Sequence, residues 1–324
     1  MDFRGKKILF IGPKFHNYEN MIKAQLEQQG ASVDFFAERS YDFDFNIVNN
    51  FFESYMSNFQ RKHYNKISKS VKSNRYDFLF VIRGYMMPTS FLKTFKKNNP
   101  ESKTIMYQWD SERTNPFSHL ISLFDAVKSF DFQDCEDFNI KYIPLFYTND
   151  VEHYRVQPKV YEYDFFFMGF FFEERYEAVL KFKKYCLEKG FKLKPFLYMP
   201  FTTRVKYYFK RKTLDRSIVS FKHMDRTQYL DILSKSHIMV DVSNPRQTGL
   251  AMRVIESLAC NTKVATNNVF FKKDDIVKNS GMVALFDLNN IYIDNDFLKL
   301  EFNKDEKLAL PLEKWLKCIF SDNN

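Results

Sequence analysis

Short, continuous apolar runs alternate along this chain with stretches in which apolar residues recur every three or four positions. That is the pattern of buried strands separated by helices. Apolar runs at 6–12 (KKILFIG), 31–36, 76–84 (YDFLFVIRG), 103–109 and 126–129 predict strands, and 141–146 leads out of this half. Between them, 20–29, most of 46–73, 91–97 and 118–124 read as helices. A second series begins near residue 163. Strands are predicted at 164–169 (DFFFMG), 191–197, 218–221, 238–242, 263–266 and 283–288. Helices are predicted at 174–189, at 225–234 with Asp225 as N-cap, from Thr248-Gly249 onward, and at 306–320. Strands alternating with helices predict an α/β chain of two Rossmann-like, doubly wound parallel-sheet domains. The expected division is 1–155, 156–305, and a closing helix in 306–324 that packs back toward the N-terminal domain. The boundary is sought in 148–161, a polar stretch carrying Pro158.

Glycine usage sharpens this picture. The chain has only eight glycines, and Gly12, Gly84, Gly169 and Gly249 stand at predicted strand ends or at the loop opening a helix. Those are the carboxyl-end positions where open parallel sheets bind ligands, and glycine there lets backbone turn tightly or approach a ligand. Two such sheets facing each other would leave a cleft lined by both sets of loops.

Hydrophobic residues make up 45% of the 324 positions and charged residues 27%, enough to bury a sizeable core. The 38 Phe and 19 Tyr are given no functional weight. The four cysteines lie far apart without metal-type spacing and read as isolated reduced thiols. No signal peptide is read at the start and no apolar run spans a bilayer, so the expectation is a cytoplasmic chain. Net charge is +9, which suits polyanionic partners or phosphorylated substrates. Part of the excess is local: 204–216 (RVKYYFKRKTLDR) interleaves base with Tyr207, Tyr208 and Phe209. Such a segment can sit on an anionic membrane surface, at the inner face of the cell membrane, or can simply be a solvated face. Nucleic acid is disfavoured, since neither a basic recognition helix nor an aromatic RNA-binding signature appears.

The segment 244–268 (NPRQTGLAMRVIESLACNTKVATNN) carries the chemistry. On a helix opened by Thr248-Gly249, residues Gly249, Arg253 and Glu256 share one face, while Leu250, Val254, Ile255 and Leu258 are apolar. A glycine at a helix start offers bare amides to phosphate, and a carboxylate two turns on can accept ribose hydroxyls. The pattern alone also fits a surface Arg–Glu pair on an ordinary amphipathic helix.

Three segments in order, DFFFMG with Arg175, then SFKHMDRTQYLDILSKSHIMVDVS, then TGLAMRVIESLACNTKVATNN, resemble the carboxyl-terminal half of GT-B glycosyltransferases. The likeness is to the group-1, spore-maturation-protein-like (CgeB-type) family and covers about the second half of the chain. The resemblance implies a GT-B fold and a nucleotide-sugar donor, a UDP- or GDP-sugar, with no tightly bound cofactor and no metal. It implies that Glu256 holds the ribose, Arg253 compensates the diphosphate, and the amides of Thr248, Gly249 and Leu250 cradle it. Gly169 would let a loop approach the phosphates with Arg175 nearby, and Gly12 marks the corresponding first loop. Thr248 stands where many retaining members of the fold carry the first glutamate of E-x7-E, and Asn261 where a glycine is usual. Asp42-Phe43-Asp44 has metal-type D-x-D spacing but reads as chance. For a base that activates an acceptor hydroxyl, Asp110 is the first choice, beside Glu112, and His16 the second. Arg83-Gly84, at another strand end, is a candidate to contact the acceptor or to close the cleft. The function expected is sugar transfer to a surface-polysaccharide or lipid-linked glycolipid acceptor. The alternatives are a non-catalytic nucleotide-binding protein of the same fold and a nucleic-acid-binding or DNA-glycosylating protein.

Overall fold

The computed structural model describes residues 2–41, 45, 53–209, 213–302 and 308–321. Asp42-Phe43-Asp44, part of the basic run at 210–212 and the start of the expected helix at 46–52 lie outside the described residues. The chain forms two compact units. The first comprises the described residues of Met1–Pro144, Arg246–Gly249 and Leu312–Asn324, the second those of Leu145–Pro245 and Leu250–Pro311.

The first unit is built on a six-stranded sheet of β1 (Lys7–Gly12), β2 (Ser32–Ala37), β3 (Phe78–Ile82), β4 (Lys103–Gln108), β5 (Ala126–Ser129) and β6 (Lys141–Tyr142), ordered β2-β1-β3-β4-β5-β6. Every pairing is parallel. Both faces are buried, which explains why the strands read as continuous apolar runs. Alternate residues go to opposite faces. Leu9, Ile11, Leu79, Val81 and Met106 pack with Tyr64, Ile67, Phe91 and Phe95 of the crossover helices Met56–Ser70 and Thr89–Asn98. Phe78, Phe80 and Tyr107 meet Trp315 and Phe320 of the closing helix Leu312–Phe320. The expected helix at 118–124 is a 3₁₀ turn, Ser118–Leu123.

The second unit opens with β7 (Phe146–Tyr147). Its main sheet holds β8 (Tyr163–Phe170), β9 (Leu193–Tyr198), β10 (Val219–Ser220), β11 (Ser236–Asp241), β12 (Lys263–Thr266) and β13 (Val283–Leu285), ordered β10-β9-β8-β11-β12-β13 and again parallel throughout. β7 pairs separately with β14 (Leu310–Pro311). In each sheet the chain works outward to one side and then returns to the other. This places a topological switch between β1 and β3 in one unit, and between β8 and β11 in the other.

One device recurs in both sheets. Lys128 on β5 donates through Nζ to the carbonyls of Cys318, Ile319 and Ser321 at 2.8–3.0 Å. Lys263 on β12 donates likewise to Phe297, Leu298 and Leu300 at 2.7–2.9 Å. In each case a buried ammonium ends a helix by satisfying carbonyls that have no intrahelical partner. Lys128→Met would keep the apolar stem and strip these carbonyls of their donor. It is expected to lower unfolding free energy by about 2–3 kcal/mol, read as a shift in urea midpoint; an unchanged midpoint would remove the cap from the account.

Candidate functional site

In the second unit, charged side chains gather at the switch point. β8 and β11 are neighbours there, and their carboxyl ends deliver Gly169-Phe170 and Asp241. Asp241 is buried and accepts from Thr266 Oγ1 at 2.6 Å. Arg253, from helix Met252–Ala259, reaches back to it: Nη2 lies 2.5 Å from Asp241 Oδ1 and donates to the Val242 carbonyl at 2.9 Å. Arg253 Nε is buried with no hydrogen-bond partner among the described residues. Arg175, on helix Glu173–Lys189, donates to the Phe170 carbonyl at 3.0 Å and lies over the Phe172 ring. A Cβ at Gly169 would sit 3.3 Å from Arg175 Nη1, so glycine keeps room for the guanidinium. Burial first, then the like charge of Arg253, disfavours protonated Arg175, and Asp241 supports it. A guanidinium stays charged in protein conditions. Two such groups beside one carboxylate therefore leave a positive excess that an anion relieves.

Glu256 is 2% exposed and lies 2.8 Å from Arg226 Nη2. Arg226 is itself held by Asp150, through Nε at 2.5 Å and Nη2 at 3.0 Å, and by Thr148 Oγ1 at 2.7 Å. A buried carboxylate is thus fixed in orientation by a guanidinium that two further side chains anchor.

The Thr248–Leu250 segment departs from the sequence reading. The helix starts at Met252 with Ala251 as N-cap, not at Thr248-Gly249. Thr248 and Gly249 belong to the first unit, where Asp131 satisfies them. Asp131 Oδ2 accepts from Thr248 N at 2.6 Å and Gly249 N at 3.2 Å, and Oδ1 accepts from Thr248 Oγ1 at 2.6 Å. The same carboxylate caps helix Phe132–Phe138 through Gln133 N and Asp134 N. Amides bound in this way have no need of a helical turn, and Gly249 does not share a helix face with Arg253. Leu250 is buried.

The first unit gathers its charges around the ends of β2, β3 and β4. Arg83 pairs with Glu38, which is fully buried, and with Asp110 Oδ2 at 3.1 Å. Glu38 also accepts from the Tyr85 amide at 2.8 Å, and Gln60 ties the Glu38 and Tyr85 carbonyls. Arg83, Gly84 and Met86 all have positive φ, at 66°, 66° and 46°. Two of them are not glycine, and such backbone persists only where contacts hold it. Burial pushes the Asp110 carboxyl above its usual range while Arg83 pulls it back. His16 also has positive φ, 48°, and its ring meets Phe15 edge-on. At Gly12 a Cβ would meet the Phe10 ring at 3.1 Å, so close packing explains that glycine. Glu112 accepts from Phe117 N and Ser118 N and shapes a turn.

The structure therefore brings Gly169, Arg175 and Arg253 together at one switch point, adds Glu256 on the same helix as Arg253, and pairs Asp110 with Arg83. Sequence reasoning missed Asp241, Arg226, Asp150, Glu38 and Asp131. Asp241 alone carried a signal, as the acidic end of the apolar run HIMVD. Among the described residues, no three His, Cys, Asp or Glu side chains are placed to hold a metal ion.

No family model matches the sequence, so none supports the CgeB-type likeness, and no curated protein matches it. Solved structures do. AviGT4, a glycosyltransferase involved in avilamycin A biosynthesis, aligns with a TM-score of 0.57 at 13% identity over 98% of this chain and 93% of its own. MurG of Acinetobacter baumannii aligns at 0.51 and 10% identity over 97% and 99%. UDP-GlcNAc 2-epimerase from Neisseria meningitidis, bound to UDP-GlcNAc, aligns at 0.55 and 11% identity over 97% and 98%. The fold is GT-B. At such identities the likeness is one of fold, and transferases and epimerases share it.

Two tests address the Asp131 junction. A Cβ on Gly249 would lie 2.3 Å from the Phe130 carbonyl oxygen, a backbone atom with little room to retreat. Gly249→Ala is expected to cost about 2–4 kcal/mol in urea unfolding, and a neutral outcome would show that the segment can sit elsewhere. Asp134, 2% exposed, is raised to about 6 by burial, with Asp131 and Glu112 adding to the shift. The folded chain then holds a proton that the unfolded chain has released, so this group's contribution to stability falls as pH rises from about 4 to 6. Asp134→Asn is therefore expected to melt above the parent at neutral pH, with the two converging toward pH 4. Parallel melts at both pH values check the sign.

Proposed function

We propose that this chain is a glycosyltransferase that moves a sugar from a nucleotide-diphosphate sugar to a saccharide or lipid-linked acceptor in surface-polysaccharide or glycolipid assembly. The observation that carries the reading is the Arg175–Arg253–Asp241 cluster: two guanidiniums and one carboxylate at a parallel-sheet switch point. Open α/β sheets bind ligands there, and the uncompensated positive charge suits a diphosphate. Arg253 supplies one cation for the diphosphate at the carboxyl end of β11, and Arg175 supplies a second beside Gly169. Both stabilise the diphosphate more strongly as it leaves, when its charge grows. Glu256, oriented by Arg226, takes the ribose hydroxyls.

Asp110 is proposed as the base for the acceptor hydroxyl. Burial brings its carboxyl nearer the working range of a base, and Arg83 keeps it oriented. The donor proposed first is a UDP-sugar, since the Neisseria meningitidis neighbour carries UDP-GlcNAc; a GDP-sugar is the second choice. The reading includes no metal and no tightly bound cofactor.

A thermal-shift screen across UDP, GDP, UDP-sugars and GDP-sugars tests the donor site. A ligand at a hundred times its Kd stabilises by about 2.7 kcal/mol, several degrees in a chain of this size. Arg253→Ala and Glu256→Gln should abolish most of that shift while the unliganded chains still melt cooperatively. If no nucleotide or sugar nucleotide moves the melting temperature, the reading fails. Donor turnover should fall about a thousandfold in Asp110→Asn with the thermal shift retained. Conversion of UDP-GlcNAc to its 2-epimer with no acceptor present would replace transfer by epimerisation.

A further inference from the structure

Helix Phe201–Phe209 turns the wrong face to solvent for an ordinary surface helix. Tyr207 is its one buried side chain, packed edge-on against Phe171 at 5.0 Å. With Thr203, one turn earlier and partly buried, it forms the seam that attaches the helix. On the opposite side stand Phe201, Val205, Tyr208 and Phe209, exposed by 74%, 37%, 80% and 78%. Their spacing, i, i+4, i+7 and i+8, puts all four within one arc of about 100°. Arg204 and Lys206 are exposed and fall on either side of this arc. Arg204 additionally lies over the Phe221 ring at 4.4 Å. Lys210, Arg211 and Lys212 follow in sequence. Single exposed apolar residues are ordinary, but a helical stripe of three large aromatics with flanking bases is an interaction surface.

We infer that this helix docks the second unit on an anionic lipid surface. Exposed bases on both sides of the apolar arc favour an anionic lipid surface as its occupant. The stripe matches that of an interfacial helix, which buries its apolar face about 5–10 Å into the headgroup boundary while Lys and Arg meet anionic lipid. The net charge of +9 works in the same direction. The helix follows β9, which runs parallel to β8 with Tyr198 opposite Phe170. It therefore leaves the same end of the sheet as Arg175, where Phe172 is a further exposed aromatic at 57%. A docked helix would hold that end of the sheet close to the lipid. This consequence for a lipid-linked acceptor rests on the proposed transferase reading; the docking itself does not.

Vesicle co-sedimentation of the full chain tests the inference. Binding is expected to vesicles of phosphatidylglycerol and phosphatidylcholine in equal parts, weaker binding to phosphatidylcholine alone, and a decline with added salt. The triple variant Phe201→Ser, Tyr208→Ser, Phe209→Ser should bind the mixed vesicles at least about tenfold more weakly. All three residues are solvent-exposed, so its melting temperature and any sugar-nucleotide shift should match the parent. That match separates failure of docking from failure of the donor site. A second variant, Tyr208→Trp, should give a blue-shifted emission on the same vesicles. Absence of binding, undiminished binding by the triple variant, or a dimer in sedimentation velocity that the triple variant abolishes would each overturn the inference.

Discussion

Every strand pairing in the two main sheets is parallel, and the rest of the structure follows from that constraint. A parallel pair cannot be closed by a tight turn, so each connection must cross the sheet, usually as a helix. Both faces are then covered, and the strands must be apolar on both sides. The phenylalanine-rich runs at β3 and β8 satisfy this, sending alternate side chains to opposite layers. All strand ends of one kind are gathered on one edge, where polar side chains can be placed without disturbing either core. Arg175, Arg253 and Asp241 occupy that edge in the second unit, and Glu38, Arg83 and Asp110 occupy it in the first. The two clusters differ in electrostatic character. In the second unit guanidiniums outnumber carboxylates. In the first, one arginine is shared by two carboxylates, and burial opposes its charge less than those neighbours support it.

Much of the fold was legible because continuous apolar runs and strand-ending glycines are local signals. The strands read at 6–12, 164–169 and 238–242 stand within two residues of their places in the fold, and their alternation with helices implies a doubly wound parallel sheet; the GT-B class rests on the family resemblance and on the likeness to solved structures. The candidate site was legible only where its residues lie close together in one segment. Arg253 and Glu256 stand on one helix, and Arg175 follows Gly169 closely. Their partners could not be read, since Asp241, Arg226 and Asp150 come together only once the sheet has formed. Thr248-Gly249 misled for a related reason. A threonine and glycine before an apolar periodic run look like a helix start, but a carboxylate more than a hundred positions earlier in the chain claims those amides. Long-range capture of a backbone donor leaves no periodic trace.

Asp131 also shows how one side chain can carry several constraints at once. It caps its own helix and holds the Thr248-Gly249 backbone, with Asp134 buried beside it. Burial raises the Asp134 carboxyl, and the neighbouring Asp131 charge adds to the rise. The capture of Gly249 over the Phe130 carbonyl is the steric constraint at the same junction.

The closing helix has a consequence for the order in which the molecule is made. Its Trp315 and Phe320 cover one face of the first sheet, and its last carbonyls are tied by Lys128. Those residues leave the ribosome after every strand of the second unit. The amino-terminal sheet is thus translated first but finished last, its Phe78–Phe80–Tyr107 face left bare while the intervening unit is synthesised. Domains commonly fold in the order of their translation. Here the aromatic face of Phe78, Phe80 and Tyr107 is covered only when the closing helix docks, so the first unit's core depends on a segment that follows the whole second unit in sequence.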